Sequence, residues 1–362
     1  PDNADVMELA AVIAKATGDK AGKEAQIKAL LAKDKYNPAA NIEMAEEVLL
    51  KRNYDGAQKY YLKALAREPD NETALLGYGQ TDYFLENDDR AYKTFSKVIA
   101  KNPECDRAYY YLGKLDAAAQ KYTSAKENIE EAIRIEPDVF DYHIDAGMYN
   151  RYLGKNAEAE ASWSKAIELQ PEYFLGYVYR AGIYDEEEKF EEALSDYYKI
   201  IELNPEYFYA YESIGVLAFH NKDWTKARKA FEICHEKNPE NISYSLLTTY
   251  CYYKEGDRLT AKNFSNQVLR RMDRESTEYF LLRSFHDETD KFPLDQRIGA
   301  IDNSNTRGKY YFYMGLLYDL VRGNGISKTY YAKVIDLNCP MFFEYRLCEW
   351  LMLDFKNDEE SF

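Results

Sequence analysis

The chain has 362 residues, of which 46% are hydrophobic, so it can bury a sizeable core. Its 63 acidic and 47 basic residues give a formal net charge of −16, and a surface of that sign repels the phosphates of nucleic acids and anionic lipids. We therefore expect no nucleic-acid partner. No apolar run reaches the roughly 18 residues that a membrane-spanning helix needs, so we predict no membrane span.

The five cysteines show no paired spacing such as CxxC, and an odd number cannot all form disulfides within one chain. This favours reduced thiols and a cytoplasmic location. The chain begins at Pro1 instead of Met, so removal of a signal peptide, and with it a location outside the cytoplasm, stays open.

The clearest pattern in the sequence is a set of six prolines spaced 34 residues apart. They are Pro69, Pro103, Pro137, Pro171, Pro205 and Pro239. A fixed period of this size predicts a repeat architecture. If each proline is residue 32 of its unit, six units cover residues 38–241.

Other positions of these units repeat as well. Position 8 holds only Ala or Gly, from Ala45 to Gly215, and position 20 is Ala in every unit. Small residues at fixed points of two helices allow their axes to approach closely. Position 24, four residues after the second small position and on the same helix face, is large. Its occupants are Tyr61, Phe95, Ile129, Trp163, Tyr197 and Phe231.

Polar segments such as 153–158 separate the two small positions, and Gly154 and Gly256 suit the end of a helix. Each unit is therefore predicted to be helix, turn and helix, closed by its proline. A 34-residue hairpin with this pattern resembles the tetratricopeptide repeat (TPR). The resemblance implies an all-α fold, a right-handed superhelix or solenoid of about ten helical hairpins with a C-terminal capping helix.

In chain order, the resemblance divides a single predicted domain, 1–362, into five parts. Residues 4–37 form a degenerate first repeat, and 38–241 form six well-matched repeats. Residues 242–307 form two degenerate repeats, the second with Arg283 in the small position. The pattern recovers in 308–341, and 342–362 supply a capping helix and tail. We expect a kink or a specialised surface in 242–307.

The sequence contains no pattern typical of catalysis or metal binding. The four histidines come from different units, and none has HxxxH or HExxH spacing. There is also no GxSxG, P-loop or GxGxxG motif. We predict a protein that is not an enzyme and needs no cofactor or metal.

The TPR resemblance also implies a binding surface, because positions 2, 5, 9 and 12 of the first helix line a concave groove in that family. In this chain these positions are rich in apolar and aromatic residues with interspersed cations, and aromatic side chains favour recognition surfaces. The candidate groove residues are Tyr110, Ile144, Val178, Leu246, Phe280, Phe312, Tyr83, Met148, Phe219, Tyr250, Tyr253, Arg107, Arg151 and Lys114. The sequence thus predicts a scaffold that binds a protein or peptide.

Other interpretations of this row stay open. It could be covered by the chain's own end or by a second copy, which would make a homo-oligomer, or it could simply be tighter packing of the solenoid. Alternatively, the chain could be an accessory protein of a transporter or secretion system, with a small hydrophobic ligand in the groove or in a pocket among the degenerate repeats.

Overall fold

The computed structural model describes the backbone of residues 3–360 and their side chains, except those of Asn324 and residues 356–360. The described residues contain 21 α-helices and no strand, so the predicted all-α fold of repeated hairpins is confirmed. None of these helices is long and apolar enough to cross a membrane. The chain divides into two compact units, unit 1 (residues 1–176) and unit 2 (residues 177–362).

Unit 1 contains ten complete helices, five hairpins in chain order. They are α1 (Ala4–Ala16), α2 (Lys20–Lys33), α3 (Pro38–Leu50), α4 (Tyr54–Arg67), α5 (Glu72–Phe84), α6 (Asp88–Lys101), α7 (Asp106–Ala118), α8 (Tyr122–Ile135), α9 (Phe140–Tyr152) and α10 (Asn156–Leu169). The second helices α4, α6, α8 and α10 start every 34 residues, as the proline period requires.

Unit 2 begins inside α11 (Leu175–Glu186) and contains the helices that follow. They are α12 (Phe190–Leu203), α13 (Phe208–His220), α14 (Trp224–Lys237), α15 (Ile242–Lys254), α16 (Arg258–Leu269), α17 (Thr277–Asp287), α18 (Leu294–Gly299), α19 (Ser304–Val321), α20 (Asn324–Asp336) and α21 (Phe343–Glu360).

A residue with positive φ follows the first helix of most hairpins, again with a 34-residue period. Gly154 and Gly256 adopt φ values of +72° and +84°, which cost a glycine little because it has no Cβ. At the equivalent turns, Arg52, Glu86, Gln120, Glu188 and Lys222 have positive φ without being glycine. The packing of the two helices therefore imposes this turn even where the residue pays a steric cost.

In several hairpins, among them α5–α6, α9–α10 and α13–α14, a large side chain of the second helix packs on a small residue of the first. Trp163 is completely buried, and its Nε1–H donates to the Ile144 carbonyl oxygen at 3.1 Å. A Cβ added to Gly147 would lie 2.2 Å from Trp163 Nε1, and one added to Gly215 would lie 2.7 Å from the Phe231 ring. The large residue at position 24 therefore packs directly against the small residue at position 8.

The repeat pattern breaks in the middle of unit 2. The second helix of the hairpin after α16 is α18, which has only 6 residues and follows Pro293. The next helix, α19, has 18 residues and starts at Ser304, four residues before the repeat that the sequence places at 308. The last helix continues to Glu360, past residue 355, and residues 361–362 lie outside the described part of the chain.

We expect Gly147→Ala to destabilise the protein, because the new methyl group overlaps the Trp163 ring and cannot move it out of a closed core. Overpacking of this kind typically costs about 1 to 3 kcal/mol. The matched control is Gly325→Ala in α20, where an added Cβ meets nothing within 4 Å. Thermal melting followed by far-ultraviolet circular dichroism should show a lower midpoint for the first variant only, and equal midpoints would contradict the packing.

Candidate protein-binding surface

The first helices α5, α7 and α9 place a mixed row of side chains on one face of unit 1. This unit 1 face consists of Tyr83, Arg107, Tyr110, Lys114, Ile144, Met148 and Arg151. Arg107 is exposed, Ile144 is buried at 9% exposure, and the other five are partly exposed. The row therefore offers apolar and cationic atoms to a partner while its inner edge belongs to the core.

Tyr110 lies at the centre of the unit 1 face. Its ring centroid is 4.8 Å from that of Tyr142 and 5.4 Å from that of Tyr111. Burial raises the pKa of the Tyr110 hydroxyl well above its ordinary value, so this group stays a neutral hydrogen-bonding group at physiological pH. Tyr110 thus combines apolar contact area with a polar tip, as is typical of residues at binding surfaces.

Two cations flank Tyr110 in different ways. The ammonium of Lys114 lies 5.2 Å from the Tyr110 ring centroid and 3.1 Å from Asp145 Oδ2. Burial raises the pKa of Asp145, and the Lys114 charge opposes that shift. The guanidinium of Arg107 lies 3.5 Å from Gln80 Oε1 and forms no ion pair with a described carboxylate. Arg107 is therefore a free cation on an acidic chain.

The equivalent row of unit 2 is largely filled by the chain itself. Leu246 has 0% exposure, because α15 is buried continuously from Ile242 to Cys251. This helix packs against α14, α16, α17 and α19. The sequence-based expectation that Leu246 is accessible to solvent therefore does not hold, since a single repeat pattern carries no information about helices that pack from several repeats away.

Phe219, Tyr250 and Phe312 are buried for the same reason. The Phe219 and Tyr250 rings stack with centroids 5.6 Å apart, and the Tyr250 hydroxyl donates to Asp319 Oδ2 of α19 at 2.7 Å. Phe312 lies 6.0 Å from the Tyr331 ring. These contacts leave the three aromatic side chains no free surface in this structure.

The remaining candidates of unit 2 are partly exposed. Val178 lies on α11. The Tyr253 hydroxyl donates to the Phe285 carbonyl oxygen at 2.8 Å, and the Phe280 ring lies 4.1 Å from the Arg297 guanidinium. Tyr253 and Phe280 each have a partner within their own unit, as Tyr110 and Lys114 do in unit 1.

The element that sequence reasoning could not place is α21, which covers part of this row. Arg346 of α21 donates to both carboxylate oxygens of Asp185, each at 2.9 Å, across 161 residues of sequence. The Trp350 ring lies 4.0 Å from that of His220. The chain's own end, one of the alternatives left open by the sequence, thus lies on the first helices of unit 2.

An open cleft of about 930 Å³ lies between α14, α16 and the start of α17. Its lining includes apolar residues such as Phe264 and Val268, but also five carboxylates and Arg271. Among the described residues, no group of three or more His, Cys, Asp or Glu side chains is arranged to hold a metal ion. Glu232 accepts from Arg228 and Tyr252, and Glu278 accepts from Tyr310, but a neutral hydrophobic molecule would offer no partner to Glu236 and Glu240.

Comparison with known proteins agrees with the hairpin geometry. One family model described as tetratricopeptide repeat matches residues 48–115, and a second with the same description matches 144–202 and 186–240. No curated protein matches the chain. A chain built from stacked 34-residue hairpins is a helical repeat protein. The matched repeats identify it as a member of the tetratricopeptide repeat family.

Solved structures show the same fold. PilF of Pseudomonas aeruginosa aligns with a TM-score of 0.51 at 17% identity, over 59% of this chain and 96% of that chain. The C-terminal part of a TPR repeat-containing protein from Cytophaga hutchinsonii aligns with a TM-score of 0.51 at 20% identity, over 64% of this chain and 95% of that chain. At these identities the likeness concerns the fold alone.

The contact between α21 and His220 makes unit 2 sensitive to acid. Burial lowers the pKa of His220; the nearby Arg346 adds to this shift, while Asp354 opposes it. A histidine whose pKa is lower in the folded state resists protonation there. Its contribution to stability is complete above the ordinary histidine pKa of about 6.5 and is lost as the pH falls through the lower folded value.

We therefore expect the melting temperature of the wild type to fall more between about pH 7.5 and pH 5 than that of His220→Gln, which cannot titrate in this range. The two proteins are compared in the same buffers, so changes shared by the other titrating groups cancel. Parallel curves for the two proteins would contradict the role of His220.

Proposed function

We propose that this protein is a non-enzymatic scaffold that binds a protein partner through the unit 1 face. The observation that supports this most strongly is the partly exposed row of Tyr83, Tyr110 and Met148, bordered by the free cation Arg107. Aromatic and arginine side chains are the residues most enriched among the energetically dominant positions of protein interfaces. Membership of the TPR family, whose fold supports protein interaction scaffolds, agrees with this function.

The chemistry of the face favours a partner segment that combines apolar and acidic side chains. Tyr83 presents its ring beside Tyr111 at 5.4 Å, which makes a continuous aromatic floor with Tyr110. Arg107 places a positive charge that is not ion-paired beside this floor, on a chain whose net charge is −16. Such local complementarity attracts acidic segments and fixes their register. Both an extended peptide and an amphipathic helix can satisfy these requirements.

We expect Arg107→Glu to weaken partner capture by about tenfold or more. The substitution replaces the free cation of the face with a negative charge, which repels an acidic partner. The control is Lys93→Glu, which makes the same charge change at an exposed position of α6, in the second helix of its hairpin. Both residues are exposed, so the free energy of unfolding of each variant should stay within about 0.5 kcal/mol of the wild-type value.

Capture is measured with the purified chain as bait and quantitative mass spectrometry of the retained proteins. The proposal requires the same protein to be retained by the wild type and Lys93→Glu and lost from Arg107→Glu. Equal retention by all three baits would exclude the unit 1 face. Light scattering of the free chain in the same buffer shows whether the retained protein is a second copy.

If the chain is instead an accessory protein that binds a small ligand, the acidic cleft beside Phe264 and Val268 is the site for that ligand. Its five carboxylates favour a cationic amphiphile over a neutral lipid. Native mass spectrometry of the purified chain tests this directly, because a bound small molecule adds a defined mass. A ligand whose mass is lost in Phe264→Asp would replace the scaffold as the better account.

A further inference from the structure

We propose that the surface of unit 2 under α21 is a second, separate binding site, one that recognises helices, and that α21 is its internal ligand. The partner that this surface fits is a helix of α21 chemistry supplied by another chain. That chemistry is an acidic residue in the first turn, an arginine two residues later and a tryptophan four residues after the arginine. This proposal does not depend on the unit 1 face.

One stripe of α21 is recognised by the early helices of unit 2. Arg346, Trp350 and Asp354 are spaced four residues apart and therefore share a helix face. Besides the Asp185 carboxylate, Arg346 also donates to the Asp185 carbonyl oxygen, at 3.0 Å. A planar guanidinium held by three bonds has one orientation, so this contact fixes the register of the helix.

Aromatic rings complete the arginine contact. The Arg346 guanidinium lies 4.3 Å from the Trp350 ring, and Trp350 meets the edge of Phe190 at 5.5 Å and the ring of His220 at 4.0 Å. At the end of the stripe, Lys222 lies 2.9 Å from Asp354. Three side chains of α21 thus meet complementary groups on α11, α12, α13 and the turn after α13, as a bound peptide helix would.

A second face of α21 inserts Glu344 into the interior. Ser243 Oγ and the Tyr313 hydroxyl donate to Glu344 Oε1 at 2.5 and 2.8 Å, and Lys309 Nζ lies 3.9 Å from the same oxygen. Glu344 is fully buried, yet its Oε2 has no hydrogen-bond partner. Leaving a buried carboxylate oxygen unpaired costs free energy. The docked state of α21 is therefore specific, but it is less stable than it would be if both oxygens were paired.

The connection to α21 permits release. Residues 337–342 separate α20 from α21; they contain Pro340, and Met341 is 82% exposed. Three charged side chains of α21, Arg346, Asp354 and Glu344, make polar contacts beside the buried Leu347 and Trp350. Polar contacts of this kind are typical of elements that separate and rebind. A helix that docks through such contacts after a short connection can leave without unfolding the hairpins beneath it.

Cys348 provides a reporter for this release in the full chain. It lies on α21 with 0% exposure, and its Sγ–H donates to the Tyr331 carbonyl oxygen at 3.3 Å. Cys234 and Cys251 are equally buried in α14 and α15 of the same unit. A thiol reagent followed by peptide mass spectrometry therefore measures opening of α21 and of the underlying hairpins in one sample.

We expect Cys348 to be labelled faster than Cys234 and Cys251 in the wild type. Arg346→Ala should raise its rate by about tenfold or more, because the open population grows when the Asp185 contacts are lost, while the other two rates stay unchanged. The control is Arg134→Ala, which removes an arginine paired with Glu104 and Glu131 in unit 1. If Cys348 is labelled only together with Cys234 and Cys251 in every variant, α21 is a permanent part of the core and the proposal fails.

The recognition of a helix from another chain is tested by adding to the full-length wild type a synthetic peptide of residues 340–360 that carries Cys348→Ala, so that only the chain's own Cys348 is labelled. The peptide should bind and increase the labelling rate of Cys348 in a saturable manner, and the same peptide with Arg346→Ala should do neither. A dimer that exchanges α21 between two copies would also show the surface accepting a foreign helix. Release of α21 without any binding of the native peptide would overturn the proposed site.

Discussion

The packing of a large side chain of a second helix against a glycine of the first helix determines the rest of this structure. In the hairpin of α9 and α10, Trp163 occupies the space above Gly147, and Phe231 does the same above Gly215. This contact turns position 8 of each first helix toward its own second helix, and position 9, about 100° further around the helix, is left for other partners. The candidate binding row is thus a geometric consequence of how each hairpin closes.

The two units use this row differently. In unit 1 the hairpins follow the 34-residue period throughout, and Tyr83, Tyr110 and Met148 keep part of their surface. In unit 2 the period is broken by α18, which has 6 residues instead of the 14 of the second helix α14. The helices after it, α19 and α21, meet α15 and α13 respectively, and the row becomes interior.

This difference explains what could be predicted from the sequence. Helix starts and the pairing of Gly147 with Trp163 lie within single hairpins, so a repeated pattern of small and large residues was sufficient to find them. The burial of Leu246 and the bond between Arg346 and Asp185 depend on segments up to 161 residues apart, which no local pattern records. The broken repeat at 276–307 was visible, but the direction in which the following helices pack was not.

Hydroxyl-radical footprinting of the full-length chain tests the central claim most directly, namely that the first-helix row is open in unit 1 and filled in unit 2. Oxidation rates report the solvent exposure of individual side chains, and each row contains reactive aromatic residues. The structure predicts rapid oxidation of Tyr83 and Met148 and strong protection of Phe219 and Tyr250. Equal rates in the two rows, or faster oxidation of Phe219 and Tyr250, would contradict the account.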